Sequence, residues 1–178
     1  MKSDIIKVDN SGMGFERATD QAKKVARFKG LDEMQTIELQ VLTEEMLSLV
    51  RSITGQVNAS FWIEFDNAQM DLHLTTKAVL DKEKRQELIA SSSSRKNEAT
   101  KTFLGWLRNM YEEAMASDAE HYQPSNDILS DLPQGIYEEP EWDGYERSIL
   151  RKLADDIKIS IQGDTVDITV SKGFNVQQ

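Results

Sequence analysis

The 178-residue sequence contains no cysteine. This excludes a disulfide framework, a thiol nucleophile and a thiolate zinc site, and it fits a reducing cytoplasm. No apolar run approaches the roughly 18 residues that a membrane-spanning helix needs. The opening MKSDIIKVDN also lacks the apolar core of a signal peptide. The expected location is therefore cytoplasmic, with no membrane partner. Basic residues are in deficit, 21 Lys and Arg against 31 Asp and Glu, for a formal charge of −10. Nonspecific nucleic-acid binding depends on cations meeting phosphates, so nucleic acid is not an expected partner. The only histidines, His73 and His121, are isolated and come with no thiol, so no metal site is expected from them. The P-loop, the Gly-x-Ser-x-Gly elbow and the dinucleotide fingerprint are all missing.

What is present points to one domain. The length suits a single core, and 39% hydrophobic residues argue against disorder throughout. The negative surplus is concentrated. No Lys or Arg falls between Arg108 and Arg147, while 11 Asp and Glu residues do, so the remainder sums to +1 (−10 + 11). Pro124, Pro133 and Pro140 lie in the same stretch. Residues 118–143 read as an acidic, irregular insertion in a nearly neutral domain. Two readings stand for it: a solvated loop, or a partner-binding arm anchored by Tyr122, Ile128, Leu129, Leu132, Tyr137 and Trp142.

Hydrophobic spacing gives the order of elements. Ile5, Ile6 and Val8 predict a short strand, and Ser11–Gly14 turns the chain. Phe15, Ala18, Ala22, Val25 and Ala26 then share one stripe of a helix that Gly30 ends. Asp32 and Gln35 form a capping-box pattern for a second helix reaching Ile53, with Leu39, Leu42, Met46, Leu49, Val50 and Ile53 inward. Phe61, Ile63 and Phe65 alternate, Asp66-Asn67 turns, and Met70, Leu72 and Leu74 alternate back, which predicts a hairpin with His73 facing away from the core. Asp81 can cap a helix to Ala90. A longer helix is expected over Asn97–Met115, and another over Tyr145–Ala154. Ile157, Ile159 and Ile161, a Gly163-Asp164 turn, and Val166, Ile168 and Val170 predict a closing hairpin. The expected fold is an α+β two-layer sandwich, a mixed and mostly antiparallel sheet with helices packed on one face.

The opening strand, the helix FERATDQAKKVARFKG, the Leu-Asp step and the helix IELQVLTEEMLSLV closely resemble the anti-sigma-factor serine kinases. These belong to the histidine-kinase-like ATPase superfamily, the GHKL or Bergerat-fold group. The resemblance covers about residues 1–110 and 144–171 as an order of elements. It implies that fold, ATP as the ligand, and a second helix carrying a Glu that polarises the nucleophile, followed four residues later by an Asn that holds magnesium. Glu45 best matches the Glu, and the residue four further on is Leu49. If Glu44 takes the role, its partner is Ser48, a weak oxygen ligand. The magnesium position is altered either way. The family's Asp-x-Gly-x-Gly turn, which reads adenine, has no counterpart, since no glycine occurs between Gly55 and Gly105. Its glycine-rich phosphate lid would fall at ASSSSRKNEATKTFLG.

In that last segment Ser93, Ser94, Arg95, Lys96 and Asn97 precede an expected helix and could receive a phosphate at its N-terminus. The alternative is a polar lead-in whose serines and Asn97 cap the helix. Glu45 is likewise either a general base or a solvated or paired carboxylate beside an apolar stripe. Trp62, Trp106 and Trp142 suit packing or partner contact better than base stacking. The expectation is a regulatory, partner-binding protein of anti-sigma-like descent with a degenerate, non-hydrolysing nucleotide site. The alternative is an active magnesium-ATP-dependent serine kinase or ATPase with Glu45 as base, Ser48 near the metal and Arg95 and Lys96 on phosphate. A homo-oligomer is compatible with both.

Overall fold

The computed structural model describes residues 1–9, 13–54, 58–66, 68–101 and 144–174. In chain order the elements are β1 (Ile6–Asp9), α1 (Met13–Phe28), α2 (Glu33–Thr54), β2 (Asn58–Asp66), β3 (Gln69–Lys77), α3 (Lys82–Ala90), a 3-10 turn (Glu98–Lys101), α4 (Gly144–Leu153), β4 (Asp156–Gln162) and β5 (Thr165–Gly173).

The helix ends are made by the residues that announce them. Gly30 has φ 70°, a left-handed conformation that costs glycine little. It lets Leu31 N–H donate to Ala26 O at 3.0 Å and Gly30 N–H to Arg27 O at 3.1 Å, which closes α1. Two residues later the capping box is reciprocal: Gln35 N–H donates to Asp32 Oδ1 at 2.8 Å, and Asp32 N–H to Gln35 Oε1 at 3.1 Å. Asp81 caps α3 by accepting from Lys84 N–H at 2.8 Å. At the start of α1, a Cβ on Gly14 would lie 2.7 Å from the Val8 Cα, so glycine is what lets the helix pass this close to β1.

The five strands form one sheet in the order β1-β2-β3-β5-β4. Every neighbouring pair is antiparallel. The mixed sheet expected from sequence is thus corrected, for the described strands, to an antiparallel one. Strand alternation shows which strands pair by hairpins, but it carries no direction for β1 or for the join between β3 and β5. Asp66 pairs with Gln69, so the first hairpin turns one residue later than Asp66-Asn67 suggests. The second turns where expected: Gln162 pairs with Thr165, and Gly163 at φ 60° supplies the first central position.

Alternate strand residues are buried on a single face. Phe61, Ile63, Leu72, Leu74, Ile159 and Val170 are at most 0% exposed and join Leu39, Leu42, Met46 and Ile53 of α2 in the core. The opposite face carries polar and half-buried side chains, among them Trp62, Glu64, Asp71, His73, Thr75 and Thr169. The coarse class is therefore α+β, with an open antiparallel sheet and helices. Of the long helix expected over Asn97–Met115, the described part is the 3-10 turn, and the rest lies outside the described residues. The acidic insertion at 118–143 lies outside them as well.

Candidate functional site

The residues expected to form a nucleotide site fall in two places. Glu45 and Ser48 are on α2, where the phase of Leu42, Met46 and Leu49 toward the core leaves both half-buried at the edge of the apolar stripe. One Glu45 oxygen, Oε2, is shielded from solvent. Glu44 is exposed. Leu49, one turn beyond Glu45, is only 4% exposed and belongs to the core.

The second group is the turn after α3. Ser91 and Ser92 are buried, and the Ser92 hydroxyl donates to Ile89 O at 2.7 Å. Ser93 then meets the outer edge of β4: its N–H donates to Ile157 O at 2.9 Å, and its Oγ accepts from Ile157 N–H at 2.8 Å. Asn97, 5% exposed, repeats this four residues on. Its Nδ2 donates to Ile161 O at 3.0 Å, and its Oδ1 accepts from Ile161 N–H at 2.8 Å. The same Oδ1 accepts from Ala99 N–H at 3.2 Å, a cap on the 3-10 turn. Between these anchors Ser94, Arg95 and Lys96 are exposed, and Arg95 is the one non-glycine residue at positive φ, 52°, among the described residues. Ser94 Oγ lies 3.4 Å from Glu98 Oε1. Ser94, Arg95, Lys96 and Asn97 are thus brought together in one turn, in which the Asn97 amide is occupied by the β4 backbone. Tyr122, Ile128, Leu129, Leu132, Tyr137 and Trp142, the expected partner anchors, lie outside the described residues.

A third cluster, on the open face of the sheet, was not singled out from sequence. Trp62 and His73 are register partners across β2 and β3, with parallel rings 5.1 Å apart at an interplanar angle of 9°. Lys2, which bridges to β2 opposite Glu64, puts its Nζ 4.2 Å from the centre of the Trp62 ring. The indole N–H donates to Glu64 Oε1 at 3.0 Å, and Lys2 Nζ lies 3.4 Å from the same oxygen. His73 Nδ1 shares a 3.2 Å hydrogen bond with Thr169 Oγ1, and its Nε2 lies 3.9 Å from Glu64 Oε2, beyond hydrogen-bond reach. The Trp62 hydrogen bond holds the Glu64 carboxyl below its ordinary range; burial opposes this, and His73 and Lys2 add to the lowering. Burial pushes the His73 imidazole below its ordinary value, against the pull of Glu64, Asp71 and Asp167. Strand phase already put His73 on the outer face, but its pairing with Trp62 depends on the hairpin register, which strand phase alone leaves open.

The arrangement offers a half-buried carboxylate on α2, an exposed basic turn at one sheet edge, and an aromatic and charged cluster on the open sheet face. No protein-family model matches the chain, and no curated protein matches it in sequence.

Proposed function

We propose that the chain is a regulatory, partner-binding protein of anti-sigma-factor-like descent, built on a histidine-kinase-like ATPase sandwich whose nucleotide site no longer holds magnesium in the usual way. The observation that carries this reading is Leu49. It stands four residues after Glu45, where the resemblance calls for a metal-ligating Asn, and it is packed into the core. Leucine offers no oxygen to a hard cation. The position is committed to packing, and a neighbouring rotamer change cannot turn hydrocarbon into a ligand.

Two further features support it. Asp81, the first carboxylate after β3 and the nearest candidate for reading adenine, has its Oδ1 engaged as the α3 cap. Ser93 and Asn97, in the segment matching the phosphate lid, are bonded to the β4 backbone. Any ATP or other phosphate-bearing ligand then relies on Ser94, Arg95 and Lys96 as a regulatory contact, and the work of the protein is docking a protein partner.

The test is a phosphotransfer and ADP-release assay with magnesium-ATP on wild type and Glu45→Gln. The reading predicts no turnover above buffer in either. Turnover in wild type that Glu45→Gln abolishes while the fold persists would replace it with an active kinase or ATPase in which Glu45 is the base.

A further inference from the structure

Met1–Ser3 runs along the outer edge of β2, beyond the stretch that β1 covers. Ser3 N–H donates to Ile63 O and Phe65 N–H to Met1 O, both at 2.8 Å. Met1 N donates to Phe65 O at 2.6 Å, and Ser3 Oγ accepts from Ile63 N–H at 2.9 Å. Asp4 and Ile5 are exposed and separate this segment from β1, whose pairing with β2 starts at Ile6 and Phe61. Met1–Ser3 can therefore leave the sheet without β1. Its one charged side chain is Lys2.

Lys2 and His73 address the same two groups from opposite sides of β2, Lys2 from the outer edge and His73 from β3. Lys2 Nζ sits 4.2 Å from the Trp62 ring centre and 3.4 Å from Glu64 Oε1. His73 stacks on the same indole and places Nε2 3.9 Å from the other Glu64 oxygen. In this arrangement Nδ1 is bonded to Thr169, and Nε2 is shielded from solvent with no hydrogen-bond partner among the described residues. A protonated imidazole donates from both nitrogens. Nε2–H then needs an acceptor, and Glu64 Oε2 is about 1 Å short of hydrogen-bond distance. Moving the carboxylate by that amount carries Oε1 away from Lys2, while two cations now compete for one indole.

We propose that Met1–Ser3 is a pH-released strap: protonation of His73 draws Glu64 off Lys2 and frees the Ile63–Phe65 edge of β2. The other charges around His73 do not oppose this. Asp71 on its own strand and Asp167 on β5 favour the imidazolium, as Glu64 does, and Lys158 of β4, opposite Thr169, is paired with Asp156 at 3.3 Å. Burial is the largest cause of the lowered His73 value, and Lys2 adds to it against the three carboxylates. A strap that makes protonation harder is, by reciprocity, loosened by protonation to the same degree. The device uses no nucleotide and stands apart from the reading of the Glu45 region.

The experiment is an NMR titration of the His73 ring in wild type and Lys2→Gln, with amide-exchange protection of Ser3 and Phe65 measured above and below the wild-type midpoint. Lys2→Gln should raise the midpoint by about half a pH unit, the size of removing one charge from the far side of the indole. Protection of the Ser3 and Phe65 amides in wild type should fall about threefold or more below the midpoint, and should stay level with pH in His73→Phe, which keeps a ring against Trp62. Both amides should be less protected than those of β5 throughout, since the strap opens without the fold. Equal midpoints in the two proteins overturn the proposal. So do wild-type protection that is the same on both sides of the midpoint, a fall that persists in His73→Phe, and protection equal to that of β5. If His73→Phe does not fold, the midpoints and the wild-type exchange decide by the same outcomes.

Discussion

Trp62 and His73 lie side by side on the open face of the sheet, rings parallel and 5.1 Å apart, with Glu64 accepting from the indole and Thr169 sharing a hydrogen bond with the imidazole. The stack joins the two strands of the first hairpin outside the core. It also half-buries the one described side chain whose ordinary titration falls near neutrality.

That burial sets a pH dependence. His73 has a lowered pKa in the folded chain, with desolvation the largest cause and Glu64, Asp71 and Asp167 opposing it. The unfolded chain therefore takes up the proton first as pH falls, and stability present above the unfolded value of about 6.5 is lost on going down through the folded value. Glu64, also lowered, gives the same sign at more acidic pH. An NMR titration of the His73 ring should give a midpoint below the ordinary one, and His73→Phe should flatten the fall in melting temperature just below neutrality. A midpoint at or above the ordinary value contradicts this.

Lys172 ties three elements together. Its Nζ lies 2.9 Å from Glu38 Oε1 on α2, donates to Leu153 O on α4 at 2.7 Å, and sits 3.6 Å from Asp155 Oδ1. Burial lowers its pKa, but the bonds and charges of Glu38 and Asp155 outweigh it and the net shift is upward. This stabilisation is complete below the unfolded value and is lost as pH rises through the folded one. Lys172→Met should cost about 1–2 kcal/mol at neutral pH, read as a lower denaturation midpoint at unchanged slope.

Leu49 should behave as a core residue. Leu49→Ala is expected to cost about 2–5 kcal/mol, and Leu49→Asn at least as much, because the amide would be buried among apolar side chains. An Asn variant as stable as wild type would show room for a polar group at this position and weaken the argument that packing has displaced the metal.

The described core draws on residues from Ile6 to Leu88 and from Leu150 to Phe174. The acidic, proline-bearing composition of 118–143 predicts that deleting this segment leaves a single cooperative unfolding transition, while association with a protein partner weakens. Loss of cooperative folding in the deletion variant contradicts the assignment of that segment to docking.

Much of this architecture is written locally. Gly30, the Asp32–Gln35 box, Asp81 and Gly163 each act within a few residues, and the periods of 3.6 and 2 in α2, β2 and β5 depend only on which face is buried. What is not local is harder to read. The antiparallel order across β3 and β5, the pairing of Trp62 with His73, and the placement of Ser93 and Asn97 against Ile157 and Ile161 join residues far apart in sequence. Asn97 illustrates the limit: a polar residue before a helix pattern reads as a cap or an anion ligand, whereas its side-chain amide bonds both backbone groups of Ile161, on a strand 64 residues away.

The central claim, a partner-binding protein whose site has lost its magnesium ligand, is tested most directly by calorimetric titration of the purified chain with ATP, with and without magnesium. Because Leu49 stands where the proposed descent places a metal-ligating Asn, magnesium should not tighten ATP binding. Micromolar binding that requires magnesium would contradict it and would mark a working metal site built around Glu45 and Ser48.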